Sequence, residues 1–254
     1  NKAILIEVSP EKMDVFEVSN SNQLICSNHF QSNAFKNDHK NIEQINNSHS
    51  KYRYDRMQEL FTEKPKIDPE TASKILRNTR GLQNIKLGYG NEKALNQLMA
   101  HHGIIFKPKE KLVWVSANPY QLGEFVCYNL DSIFKEKRPH NIVSFEQENL
   151  NIAKDPFITT DTFQNYQEFK IEDRKIDVFL ENKSKITTPF IQKYQSLNPD
   201  YWVVYYKVGL YFYQKKEYPQ AQINFEKALA KEITTAPQKK AIEEYLKKIK
   251  RKLK

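Results

Sequence analysis

Three strand-like runs follow one another between residues 102 and 130 with only short turns between them, which constrains the fold more than any other feature. Residues 102–106, 111–116 and 123–130 are rich in β-branched and aromatic side chains, Trp114 among them. A parallel crossover needs about a dozen residues between strands. The linkers at 107–110 and 117–122 are shorter, and the second holds the turn pair Asn118-Pro119. A mixed or antiparallel sheet is therefore expected rather than a βαβ repeat. With helices expected on either side, the fold class is α+β.

Shorter strands are expected at residues 3–8, 13–18 and 23–27, divided by Ser9-Pro10 and by Ser19-Asn20-Ser21-Asn22. Residues 31–50, rich in Asn, His and Lys, read as an exposed loop. Ser50 then caps a helix to about residue 63, with Tyr54, Met57, Leu60 and Phe61 at helical spacing and Pro65 ending it. Pro69 opens a second short helix to about residue 78. Residues 91–101 read as a helix or a helix-to-strand transition, and 136–187 as a charged, irregular connecting region. The character changes at Thr188-Pro189, after which helices are expected at 190–197, 201–215, 219–231 and 236–253.

Composition removes several function classes. The 15 Phe and 14 Tyr can fill a core, so wholesale disorder is excluded. Cys26 and Cys127, the two cysteines, cannot form a disulfide scaffold or a cysteine-rich zinc module. With six glycines, the chain lacks a glycine-rich phosphate loop. No apolar run approaches the roughly 18 residues of a membrane span. The net charge of +9 sits largely in the last helix, including Lys247, Lys248, Lys250, Arg251 and Lys252, and reads as a solvated helix end. No RNA-binding signature accompanies it, so no nucleic-acid partner is expected. His29, His39 and His49 lie ten apart without a carboxylate cluster, and the adjacent His101 and His102 face opposite ways in a strand. Neither metal nor cofactor is expected.

Residues 24–30, Leu-Ile-Cys-Ser-Asn-His-Phe, carry the chemistry. Alternation sends Cys26 and Asn28 to one side and Ser27 and His29 to the other. An Asn amide held at a strand end can donate to a forming oxyanion. Arg53, in the helix opening Ser50-x-x-Arg53, can be aimed at the same cleft to hold a carboxylate or favour a thiolate. A turn amide and a solvated arginine are the alternatives.

The order of these segments resembles the acyl-CoA:6-aminopenicillanate acyltransferase family of N-terminal-nucleophile hydrolases. The resemblance continues through Asn91-Glu92-Lys93-Ala94 to Ala100-His101-His102, and through Lys111-Leu112-Val113-Trp114-Val115-Ser116. It closes on Pro119-x-x-x-Gly123-Glu124-Phe125-Val126-x-Tyr128-Asn129-Leu130, so it covers residues 1–135. It implies an αββα sandwich in which autocleavage exposes a cysteine as a new N-terminus. The α-amine of that cysteine is the base for attack on a linear amide or a thioester. The resemblance makes Asn28 the oxyanion-hole amide and Arg53 the arginine near the nucleophile. His29 falls in the substrate cleft, and Ser27 takes the Ser/Thr place before the Asn.

Residue 1 is Asn, and Cys26 lies on the segment carrying the oxyanion amide, so neither is the nucleophile. The chain is expected to be the C-terminal portion of a longer polypeptide and inactive without the rest. Any export signal would precede Asn1, which leaves bacterial periplasm and cytoplasm both open.

Residues 188–254 resemble a tetratricopeptide unit with Trp202 at its first position. Gly209 then falls at the close approach of two helices, Ala221 where a small residue fits, Phe225 and Ala228 in the core and Tyr218 at the turn. Ile233 stands where a Pro is usual, and an ordinary helical hairpin is the alternative. Bacterial enzymes of the family are familiar with such tails. The expected partners are a small amide or acyl-thioester substrate, the preceding portion of the same polypeptide, and a peptide or protein on the tail. A non-catalytic adaptor is the competing function.

Overall fold

The computed structural model describes residues 3–18, 23–63, 66–135 and 144–253. The expected turn at Ser19-Asn20-Ser21-Asn22 and the helix stop at Pro65 lie outside them. The fold is mixed α+β, with two small antiparallel sheets among the described residues. Among the described residues no helix is long and apolar enough to cross a membrane.

β1 (Leu5–Val8) and β2 (Met13–Phe16) form a hairpin pairing Ile6 with Val15 and Val8 with Met13. Ser9 closes it, its amide donating to the Lys12 carbonyl at 2.8 Å. Opposite residues of a ladder share a face. One face therefore carries Ile6, Val8, Met13 and Val15, all exposed. On the other face Glu7 is buried, and its carboxylate accepts from the Gln31 and Ser32 amides at 2.7 and 2.8 Å.

The third strand expected at 23–27 does not form. Side chains take over part of its bonding there, Gln31 Nε2 donating to the Ile25 carbonyl at 2.8 Å. The expected loop at 31–50 contains a helix, α1 (His39–Asn47). Asp38 caps it by accepting from the Asn41 amide, and the buried Asn41 accepts from the Phe30 amide at 2.9 Å. One cap and one anchored amide thus order a segment of poor helix formers. α2 (Ser50–Glu63) buries Ser50, Arg53, Arg56 and Leu60. Its inward face is more polar than the expected stripe, of which Leu60 alone is fully buried. α3 (Pro69–Leu76) starts at a proline after the capping Asp68.

Residues 91–101 form turns rather than a helix. The Asn91 and Asn96 side chains accept from the amides of Lys93 and Leu98 at 3.0 and 2.9 Å. Such local bonds compete with a helical ladder.

β3 (Ile104–Lys107), β4 (Leu112–Ser116) and β5 (Phe125–Asn129) make the antiparallel sheet in chain order. Ile105 pairs with Trp114 and Trp114 with Cys127, and this buried face packs on Ala72 and Leu76 of α3. Ile104 and Phe106, pointing the other way, are exposed. Arg77 locks the end of α3 to this sheet's surroundings. Its guanidinium donates to the Gln121, Gly123 and Ala153 carbonyls at 3.1, 2.7 and 3.0 Å.

A short helix, α4 (Leu130–Lys135), follows. The region expected to be irregular contains the longest helix, α5 (Asp161–Glu181). Phe163, Tyr166, Phe169, Glu172 and Ile176 line its buried face, while charged residues between them mask that spacing in the sequence. The helices α6 (Thr188–Leu197), α7 (Trp202–Gln214), α8 (Tyr218–Leu229) and α9 (Ala236–Lys252) occur where expected.

One core joins α5, α6 and α7 to Leu98 and Leu122 of the sheet half, and a second joins α7, α8 and α9. A Cβ at Gly209 would lie 2.8 Å from the Phe225 ring, so α7 and α8 touch there. Ala221, Phe225 and Ala228 are fully buried. Polar bonds cross between the halves as well. Trp202 Nε1 donates to Thr234 Oγ1 at 2.9 Å, and Thr234 Oγ1 donates to Asn91 Oδ1 at 3.2 Å.

Candidate functional site

Residues 24–30, which bend at Asn28-His29, lie against the N-terminus of α2, and side chains fix the junction. Ser27 Oγ donates to the Ser50 carbonyl at 2.9 Å, and Ser50 Oγ donates to Ser27 Oγ at 3.1 Å. His29 Nδ1 lies 2.8 Å from Ser50 Oγ. Three contacts need three hydrogens, and each hydroxyl has one. The carbonyl takes the Ser27 proton and Ser27 takes the Ser50 proton. Nδ1 of His29 therefore carries the hydrogen. Burial, then the Lys51 charge, pull the His29 pKa below its usual value, against Glu7 and Asp55. The ring is neutral near pH 7, with Nε2 free to accept.

Asn28 and Cys26 are not set apart from Ser27 and His29 by strand alternation, because no ladder forms there and the chain bends at residues 28–29. Asn28 and Cys26 are exposed, and both line a cleft of about 920 Å³. Ile6 and Val8 of the hairpin, Phe30, and Asp38 and His39 at the start of α1 also line it. Ser27 and His29 line the same cleft. Cys26 is no activated thiol: partial desolvation, then the Glu7 charge, push its pKa up. Cys127 is buried in the sheet core, and burial pushes its pKa up too.

Arg53 is buried at the close of the first turn of α2, and its guanidinium donates to Asn28 Oδ1. It also donates to the Glu92 carbonyl at 2.9 Å and touches His49 Nδ1. His49 Nε2 lies 3.3 Å from a Glu92 carboxylate oxygen. Burial, followed by the Arg53 charge, lowers the His49 pKa, and Glu92 opposes them.

The structure thus joins Asn28 and Arg53 directly and puts His29 next to them. A guanidinium only donates, so the Asn28 amide must turn its oxygen toward Arg53. Its Nδ2 has no hydrogen-bond partner among the described residues. This leaves two N–H donors at the cleft, the chemistry an anionic oxygen requires.

The supports around this pair, Ser50, His49 and Glu92, were not legible as one site in the sequence. The single clue was that His49 and Ser50 immediately precede Arg53 by one helical turn. His39 lies at the cleft while His49 is engaged by Arg53 and Glu92, so the three evenly spaced histidines do not gather. Among the described residues no group of three ligand-type side chains could hold a metal ion. In comparisons with known proteins, no family model, no curated protein and no solved structure matches this chain.

Proposed function

We propose that this chain is the C-terminal portion of a cysteine N-terminal-nucleophile amidase or acyltransferase and supplies its oxyanion-hole amide and part of its substrate cleft. The observation that carries the reading is the Arg53–Asn28 bond, which fixes the amide with its N–H groups at the cleft. In the proposed reaction, the cysteine of the preceding portion passes its thiol proton to its own α-amine. Sulfur bonds the substrate carbonyl carbon, and the negative charge on oxygen meets Asn28 Nδ2. Collapse breaks the C–N or C–S bond, and the leaving group takes the proton held by the α-ammonium. Water or an acceptor amine then releases the acyl group.

Two apolar surfaces support a missing layer. The hairpin face with Ile6, Val8, Met13 and Val15 borders the cleft, and Ile104 and Phe106 on edge strand β3 are equally uncovered. The proposed occupant is the strand layer of the preceding portion, which completes an αββα sandwich and brings the cysteine to Asn28. The α7–α8 pair is read as a single tetratricopeptide-like unit, supported by the Gly209–Phe225 approach and the buried Ala221. Such a unit cannot bury its faces alone. Here α5, α6 and α9 flank it.

The test is Asn28→Ala in the full-length polypeptide. Turnover of a linear amide or thioester should drop by roughly 10²–10³ with KM little changed. Unchanged turnover removes Asn28 from the reaction.

A further inference from the structure

A second pocket, of about 380 Å³, lies between the sheet half and the helices and shares no lining residue with the Asn28 cleft. Its walls come from residues 79–89, the first turns of α5 and the connection from α6 to α7. They are held firmly. Asn198, fully buried, accepts from the Tyr89 amide at 3.1 Å and donates to the Tyr89 carbonyl at 2.8 Å. Gly88, at φ +78°, lets the chain pass so close to Tyr201 that a Cβ would fall 2.3 Å from its backbone.

Into this pocket project two cations. Arg80 and Lys86 face each other across an isolated antiparallel bridge, so their side chains leave the backbone on the same side. Like charges in that position repel. Among the described residues neither side chain has a carboxylate partner. The carboxylate in the lining, Asp200, is bound by Lys231 at 3.2 Å. Thr79, Thr162 and Asn165 add uncharged donors around the pair, while the Ser196 hydroxyl is spent on the Lys193 carbonyl at 2.8 Å. A rigid concavity with two uncompensated cations and several neutral donors is complementary to a compact dianion.

We propose that this pocket binds a phosphate group, supplied as inorganic phosphate or as a small phosphate monoester, with Arg80 and Lys86 as its two cationic contacts. The guanidinium offers a fork of donors to two oxygens and the ammonium a point charge to a third. The volume exceeds that of a bare phosphate, which leaves room for an ester substituent against Leu87 and Pro199.

The experiment is calorimetric titration of the whole chain with inorganic phosphate and, separately, with phenyl phosphate. Binding of both at millimolar concentration is expected, and tighter binding of phenyl phosphate identifies the ester as the natural form. Equal binding of the two identifies the free ion. Lys86 is exposed and makes no side-chain hydrogen bond or ion pair among the described residues, so Lys86→Gln should keep the parent's thermal midpoint. It should bind phosphate about tenfold more weakly, and Arg80→Gln should do the same. No heat with either probe overturns the proposal. So does undiminished binding by both variants, because the phosphate then sits elsewhere, such as on the basic face of α9.

Discussion

The indole nitrogen of Trp202 donates to the hydroxyl of Thr234 at 2.9 Å, with both residues almost fully buried. That hydroxyl passes its own hydrogen to Asn91, so one threonine ties the first helix of the α7–α8 pair to a turn in the sheet half. Thr234→Val keeps the volume and removes both bonds. It should lower unfolding free energy by about 1–3 kcal/mol, because a buried donor and acceptor lose a partner together. Urea denaturation followed by Trp fluorescence reads the change, and Thr234→Ser should restore most of it. A threonine-to-valine change without effect would show that the relay adds nothing.

Gly209 gives a prediction of opposite origin, from crowding rather than a lost bond. An added methyl would fall 2.8 Å from the Phe225 ring, which is itself fully buried. Alanine normally favours a helix, by about 1 kcal/mol over glycine. Here overpacking should win, with Gly209→Ala costing about 1–3 kcal/mol in chemical denaturation. Adding Phe225→Leu should recover part of that loss. A stabilised Gly209→Ala would mean that α7 and α8 can move apart at no expense.

The two depressed histidines set a pH dependence. His29 and His49 have folded pKa values below their ordinary 6.5, chiefly through burial. The unfolded chain thus binds more protons as the pH falls past that value. The resulting stability is fully present above pH 6.5 and is lost as pH falls through the lower folded values. Denaturation at about pH 7.5 and about pH 5.5 should show a loss in the parent and a smaller one in His29→Gln/His49→Gln. The carboxylates with lowered pKa values, Asp14, Asp38, Glu59 and Asp68, act in a more acid range. An identical pH slope in the double variant would exclude this assignment.

The cysteines should differ in reach. Cys26 is exposed and Cys127 is buried. Iodoacetamide should therefore modify one thiol of the folded chain and both after denaturation. Modification of Cys26 should be slow at neutral pH, because its thiolate is disfavoured. Intact-mass spectrometry distinguishes the products, and rapid double labelling under native conditions would contradict the packing of β5.

Local signals explain which elements could be read in advance. Pro69, Pro189, Pro219 and Pro237 each sit in a first helical turn, and the β3–β5 runs are bounded by turn residues. α1 carries no such punctuation: its order depends on Asn41 reaching back to Phe30, a contact set by the fold. α5 was hidden because its buried face includes Glu172 and its buried positions are separated by polar and charged residues, Gln, Asn and Glu early and Lys, Asp and Arg later. Residues 91–101 looked helical, but asparagine side chains took the amides a helix would use. The meeting of Asn28 with Arg53 was suggested by residue type and order, although Asn28 lines the cleft and Arg53 is buried behind it. Ser50's bond to His29 and Glu92's carbonyl on Arg53 were not suggested, since each joins segments distant along the chain.

The hairpin β1–β2 has a practical outcome for anyone handling this polypeptide. One side is greasy, with Val8 61% and Met13 66% accessible. Among the described residues its outer rims also lack a neighbouring strand. Left bare, such a ribbon is adhesive: copies of the chain will meet through it as concentration rises. Lysine at positions 6 and 15 should turn a clumping sample into a dispersed one, visible by light scattering.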